Sequence, residues 1–225
     1  MSTELFFVQL INGVQYGLLL FLIASGLTLV FGVMGILNLA HGSMYMVGAY
    51  LVWYFVGVTG SFTAAALLSA VIALGLGILI ERVLIQRLYN RNHLDQVLLT
   101  IGMIFVFNSL QSIIWGNDPY GVAVPEALGG SVPFTDNSSY PVYRIFAALI
   151  CIAIAAALYF VVSKTRLGML IRAGESNREM VEALGVNIKS LYTIVFAIGV
   201  MLAAISGIIA APMSSIVPGM GESVL

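Results

Sequence analysis

The sequence predicts an all-α, polytopic transmembrane helical bundle, and three observations carry that prediction. Of 225 residues, 60% are hydrophobic and 8% charged, against roughly 25% charge in an ordinary soluble domain. Mean hydropathy is +1.05, so lipid or neighbouring apolar helices are the solvent for most side chains. Six apolar stretches are each long enough to cross a bilayer core, for which about 20 residues suffice. These features exclude a soluble enzyme and a disordered segment. Nine Lys and Arg against ten Asp and Glu give a formal net charge of −1, which leaves no basic excess to neutralise a run of phosphates. Nucleic acid is therefore excluded as a partner. The single cysteine, Cys151, lies in an apolar run; it forms no internal disulfide framework or multi-thiolate site and reads as packing.

The six stretches run over 5–33, 43–59, 62–80, 97–115, 145–162 and 191–211. The first has no Lys or Arg ahead of it, exceeds the length of a signal-peptide core and lacks a cleavage site, so it is read as a membrane span. As one helix it would be about 43 Å long, more than a bilayer core needs. It runs into Gly32-Val-Met-Gly35, so it is expected to tilt or to break there, with a broken or re-entrant region over 32–43. No charge block, Ser/Pro-rich linker or low-complexity tract divides the chain, and 1–225 reads as one membrane domain.

Basic residues set the orientation, because short cytoplasmic loops carry the Lys and Arg. Arg82, Arg87 and Arg91 follow the third stretch, and Lys164, Arg166, Arg172, Arg178 and Lys189 follow the fifth. The intervening loop, 116–143, holds Asp118, Glu126 and Asp136 with only Arg144 at its edge, and is placed outside. A first stretch that crosses once puts the N-terminus outside.

None of the six stretches, as bounded here, holds an Asp, Glu, Lys or Arg between its ends. A proton-coupled carrier usually needs such a group, although sodium can be held by carbonyls and hydroxyls alone. There is no Gly-x4-Gly-Lys-Ser/Thr loop, so ATP, if it drives transport, is bound by another subunit and this chain holds no cofactor. His41 and His93 are the only histidines and no metal-ligand spacing accompanies them. No nucleophile, base and orienting group suggest catalysis, so the chain is read as a non-enzyme.

The loop 163–190 is the most informative polar element. Ser176-Asn-Arg-Glu179 reads as a capping box, with the serine hydroxyl taking an orphan N–H and the glutamate reaching back. A helix of roughly two turns is expected to follow, with Met180, Val181 and Leu184 on one side and Gly185 closing it as the C′ residue. Such a helix either docks a cytoplasmic partner or lies on the membrane or its own bundle. The stretch from Gly26 to Tyr50 is interrupted by glycines and by Asn38, His41 and Ser43. Irregular backbone at membrane depth is tolerated only where protein or a watery cavity satisfies it. The stretch is thus either a binding site or gate built from unwound helix ends, or a turn in which Asn38 and His41 cap helices. Asn108, Gln111 and Ser112 share one helix face, as do Gln9, Asn12 and Tyr16; each stripe lines a polar pathway or hydrogen-bonds between helices. Gly199, Ala203, Gly207 and Ala211 repeat small residues every four positions, a helix-packing stripe that serves within the chain or across a subunit interface.

Gly-Leu-Thr-Leu-Val-Phe-Gly-Val-Met-Gly-Ile-Leu-Asn-Leu-Ala-His-Gly, starting at Gly26 and continuing Ser-Met-Tyr-Met-Val-Gly-Ala-Tyr50, resembles the signature of the permease subunits of branched-chain amino-acid ABC importers of the LivH type. Arg172-Ala-Gly-Glu-Ser-Asn-Arg-Glu-Met-Val-Glu-Ala-Leu-Gly-Val-Asn187 resembles the same family's cytoplasmic coupling loop. The resemblance implies a membrane subunit of the bacterial or archaeal inner membrane. It pairs with a second, LivM-like permease, binds two cytoplasmic ATPase subunits that hold ATP and Mg, and receives substrate from a periplasmic binding protein.

Arg172, Glu175, Ser176, Glu179, Met180, Leu184 and Gly185 would then form the coupling site. Asn38, His41, Gly42, Asn108 and Gln111 are the candidates for the substrate path or gate. Val181 departs from the family's usual Ala. Family members also continue past the equivalent of Gly221 with further spans, whereas this sequence ends at Leu225. A fragment or truncated gene product is therefore expected, with a path that this chain does not close by itself. The substrate by resemblance is a branched-chain amino acid, with other amino acids, urea or short amides as relatives' cargo. The alternative class is a stand-alone channel or carrier for a small neutral solute.

Overall fold

A computed structural model describes residues 3–89, 91–135 and 138–224; Asp136 of the external loop lies outside the described residues. The described residues form eight α-helices and a two-stranded antiparallel sheet in the order α1 (Thr3–Met34), α2 (His41–Thr59), α3 (Phe62–Val83), α4 (His93–Trp115), β1 (Ser131–Thr135), β2 (Ser138–Pro141), α5 (Val142–Lys164), α6 (Arg166–Ser176), α7 (Arg178–Ala183) and α8 (Ile188–Ala210). Among the described residues five helices are long and apolar enough to cross a membrane: α1, α3 with its 3-10 extension to Leu88, α4, α5 and α8. The second of the six expected stretches forms α2 but falls short of that hydropathy. His41, Gly42, Ser43, Tyr45, Gly48 and Tyr50 are buried, and its first half, from His41 to Tyr50, is almost wholly so, while Tyr54 and Gly57 further along are exposed.

Helix α8 is the hub. It is mostly buried, whereas α4 and α5 turn most of their surface outward, and it packs on α1, α2 and α3. The small-residue stripe explains how α1 and α2 come close to its axis, and it works within the chain. A Cβ on Gly199 would stand 2.9 Å from the Gly26 carbonyl oxygen of α1, and one on Gly207 would overlap the Tyr45 carbonyl of α2. Ala203 between them is fully buried. On α3, a Cβ on Gly77 would stand 2.9 Å from Ala197 Cα. Hydrogen bonds reinforce the crossings: Ser206 Oγ donates to Leu19 O at 3.0 Å and Tyr143 Oη to Ile209 O at 2.9 Å. Cys151 is buried in the apolar cluster around Tyr143 and Ala147, a packing position.

The two ends of the bundle differ. At one, Asn12 of α1 accepts from Tyr140 Oη at 3.0 Å and from Arg144 Nη1 at 2.5 Å, beside the β1–β2 hairpin. At the other, Gly32 of α1 lies against Glu175 of α6, and Ile85, Ile171, Val181 and Ile188 share one apolar cluster. Eight of the nine Lys and Arg belong to the second end, which is cytoplasmic by the positive-inside rule. α1 is a single helix of 32 residues, about 48 Å long and so long enough to cross once, and it ends before Gly35, whose φ of +66° suits glycine.

A further sequence-based expectation fails at the helix ends. α3 continues past Ile80 to Val83, so Glu81 falls inside a membrane-spanning helix and is fully buried. α5 likewise begins at Val142, which puts Arg144 in its first turn, half-buried. Helix ends defined by hydropathy alone stop at the first charge, whereas the backbone hydrogen-bond ladder does not.

Candidate functional site

At the cytoplasmic end the loop 163–190 is two helices. Thr165 caps α6, its Oγ1 accepting from Gly168 N at 3.2 Å. Because α6 runs through Ser176, the cap of α7 is Asn177 and not Ser176: Asn177 leaves the helix at φ −156°, and its Oδ1 accepts from Met180 N at 2.9 Å. The expected capping box is thus displaced by one residue, between two adjacent residues that both favour the position. Gly185, at φ +84°, closes α7 as expected. Its N–H donates to Glu182 O at 3.0 Å and that of Val186 to Val181 O at 3.3 Å, the paired bonds of a Schellman motif.

The apolar residues of α7 divide. Val181 is 5% exposed and belongs to the bundle's core, while Met180 is 63% and Leu184 78% exposed. Arg172, Glu175, Ser176, Glu179 and Gly185 are also exposed. Arg172 donates through Nη1 to Val162 O. With Glu175 it edges a cavity of about 400 Å³ between α1, α5 and α6.

The second site lies inside the bundle. His41, the first residue of α2, sits beside Ile23 and Gly26, not beside the end of α1. The His41 ring therefore lies about 12 Å back along α1 from the helix end at Met34. His41 Nε2 faces the Ile23 carbonyl at 3.1 Å, so Nε2 carries the proton and Nδ1 is a bare acceptor. That Nδ1 and the Nδ2 of Asn38 are buried without a partner among the described residues. Asn38 Oδ1 accepts from Ala40 N at 3.1 Å.

A second irregular stretch meets this one from the outer side. After α8, Ile216 bridges to Tyr120, and Gly221 then packs on Gly42 so closely that a Cβ would overlap its carbonyl. Glu222 accepts from Asn108 Nδ2 at 2.7 Å. Gly42 and Asn108 thus form a seam with the segment after α8, next to the break before α2 that holds Asn38 and His41; interrupted helices of this kind are found around substrate sites of membrane carriers. Gln111 stands one turn along α4 and donates to Gly116 O at 2.6 Å, closing its own helix. On α1, Asn12 is held by Tyr140 and Arg144, and Gln9 and Tyr16 are exposed.

Sequence reasoning missed a third cluster. Buried Glu81 accepts from Thr193 Oγ1 of α8 at 2.6 Å through Oε2 and from Tyr89 Oη through Oε1. Tyr89 meets Tyr192 edge-on at 5.0 Å, and the guanidinium of Arg178 lies 5.4 Å over the Tyr192 ring. Only the unbroken helical pattern across Ile80 and Glu81 signalled it in the sequence.

A multi-pass helical bundle, with an irregular break before α2 and a capped helix pair at one end, is the architecture of an integral membrane protein. The family model described as "Branched-chain amino acid transport system / permease component" matches residues 9–224, and the chain belongs to that family. It is 30% identical to the "High-affinity branched-chain amino acid transport system permease protein BraD" of Pseudomonas aeruginosa, over 95% of this chain and 73% of that one. It is also 30% identical to the LivH permease protein of the high-affinity branched-chain amino acid system of Escherichia coli K12, over 91% and 70%. A probable LivH permease of Methanocaldococcus jannaschii is 23% identical over 95% and 69%. No solved structure matches the chain significantly. The chain is a transport permease and not an enzyme, and its family works with other transporter components.

Proposed function

We propose that this chain is a permease subunit of an ATP-driven ABC importer of branched-chain amino acids or related small solutes in a bacterial or archaeal inner membrane. It forms the translocation path with a second, LivM-like permease. Two cytoplasmic ATPase subunits hold ATP and Mg, and a periplasmic binding protein delivers substrate. The observation that carries this reading is α7: a helix capped at both ends, anchored by Val181, with Met180 and Leu184 bare. An anchored helix with an unpartnered apolar edge is a rigid docking element. Arg172, Glu175, Ser176, Glu179 and Gly185 surround it and complete the ATPase-coupling surface.

The substrate path runs along the seam at Asn38, His41, Gly42 and Asn108, with Gln111 at its outer edge. Movement between inward- and outward-facing states follows from partners that bind the two states unequally. The test is a pull-down of the tagged chain co-expressed with its native neighbours. Recovery of ATPase subunits and a second permease supports the importer; recovery of the chain alone contradicts it.

A further inference from the structure

Glu81 is the buried carboxylate that the function described so far does not use. It is fully buried at the cytoplasmic end of α3, where an ionised group is tolerated only if donors surround it. Two do: Thr193 Oγ1, from α8, at 2.6 Å and Tyr89 Oη, from the turn after α3. Thr193 also donates to Lys189 O at 3.0 Å, so its hydroxyl is shared between α8's own backbone and α3. Tyr89 lies just beyond the membrane-spanning stretch. Burial first, then Glu81, push its pKa up, so the phenol remains a donor. Its ring stands at 87° to that of Tyr192, and Tyr192 is buried and carries the Arg178 guanidinium on its face. Arg178 is the first residue of α7.

The contacts therefore run without a gap from the docking helix to the packing of two spans. We propose that Arg178, Tyr192, Tyr89, Glu81 and Thr193 form a relay through which displacement of α7 is passed to the α3–α8 crossing; these are positioning residues for transport. This rests on the reading of α7 as the ATPase-docking element. Val181 holds α7 by apolar contact, which has no preferred direction. The cation over an aromatic face and the two hydrogen bonds are directional. Sliding α8 against α3 separates Thr193 from Glu81, and a buried carboxylate that loses a donor drives the pair back or onto Tyr89. Such an element has discrete arrangements, which coupling between distant sites requires.

The test uses the complex of this chain with its native neighbours, reconstituted in liposomes with the binding protein. Tyr89→Phe, Thr193→Val and Arg178→Gln are compared with Arg178→Lys for ATPase retention, ATP hydrolysis and substrate taken up per ATP. The relay predicts retention within twofold of the parent for Tyr89→Phe and Thr193→Val, and equal retention for Arg178→Gln and Arg178→Lys, whose uptake is therefore compared per ATPase bound. Uptake per ATP falls at least fivefold in the first three and is largely kept in Arg178→Lys. The double variant Tyr89→Phe/Arg178→Gln is no worse than the worse single variant, because the two residues lie in series.

Uptake per ATP unchanged in the three variants, with ATPase retained, overturns the relay and leaves the docking reading intact. Losses that multiply in the double variant, or that track a fall in thermal stability, also overturn it. A parent chain that retains no ATPase overturns the docking reading and the relay together.

Discussion

Truncating the two bare apolar side chains of α7 tests the docking surface without touching the fold. Complete burial of a Leu or Met side chain is worth about 1.5–3 kcal/mol. With Leu184 78% and Met180 63% exposed, a partner that covers both recovers about 2–4 kcal/mol. Alanine keeps a methyl group, so Met180→Ala/Leu184→Ala is expected to cost about 2–3 kcal/mol of that binding, or roughly 30- to 150-fold in ATPase affinity. Neither side chain contributes to the core around Val181, so the thermal stability of the isolated chain stays within about 0.5 kcal/mol. The assay is equilibrium binding of the ATPase subunits to the detergent-solubilised permease, beside a thermal unfolding curve. Weakening of less than about threefold, with unchanged unfolding, would refute the assignment of this edge.

Gly207→Val places a branched side chain against the Tyr45 carbonyl of α2 and is expected to destabilise the bundle by at least about 1–3 kcal/mol, read as a lower unfolding midpoint in detergent. Asn177→Ala removes the bond to Met180 N and costs about 1 kcal/mol of helix stability, seen as faster hydrogen exchange across α7 with α8 unaffected. Cysteine labelling reports the orientation against little background, since Cys151 is buried. Ser139→Cys is expected to react with an impermeant maleimide added to intact cells and Ser176→Cys only after lysis. The reverse pattern would invert the bundle.

Most of the architecture was legible because in lipid it depends on composition. The apolar runs marked five of the long apolar helices, and the Gly/Ala repeat of α8 marked the stripe on which α1 and α2 cross. What escaped depends on partners distant in sequence. Glu81 reads as the first residue of a loop until Thr193, 112 positions on, supplies a donor. The Ser176-Asn177 pair offers two good caps, and only the length of α6 decides between them. Glycines and polar residues marked 32–43 as irregular, but the place of the His41 ring back along α1 follows from its contact with Ile23. Likewise Gly221 became part of that seam only through its approach to Gly42. Gln111 shared a face with Asn108 on the helical wheel, yet it closes α4 instead of facing the same neighbour.

The most direct test of the transport assignment is uptake of labelled leucine into proteoliposomes that contain this chain with its native second permease and ATPases, supplied with the binding protein. The account predicts uptake that requires hydrolysable ATP and disappears when this chain is omitted. Equal uptake without ATP, or with the chain left out, would contradict it.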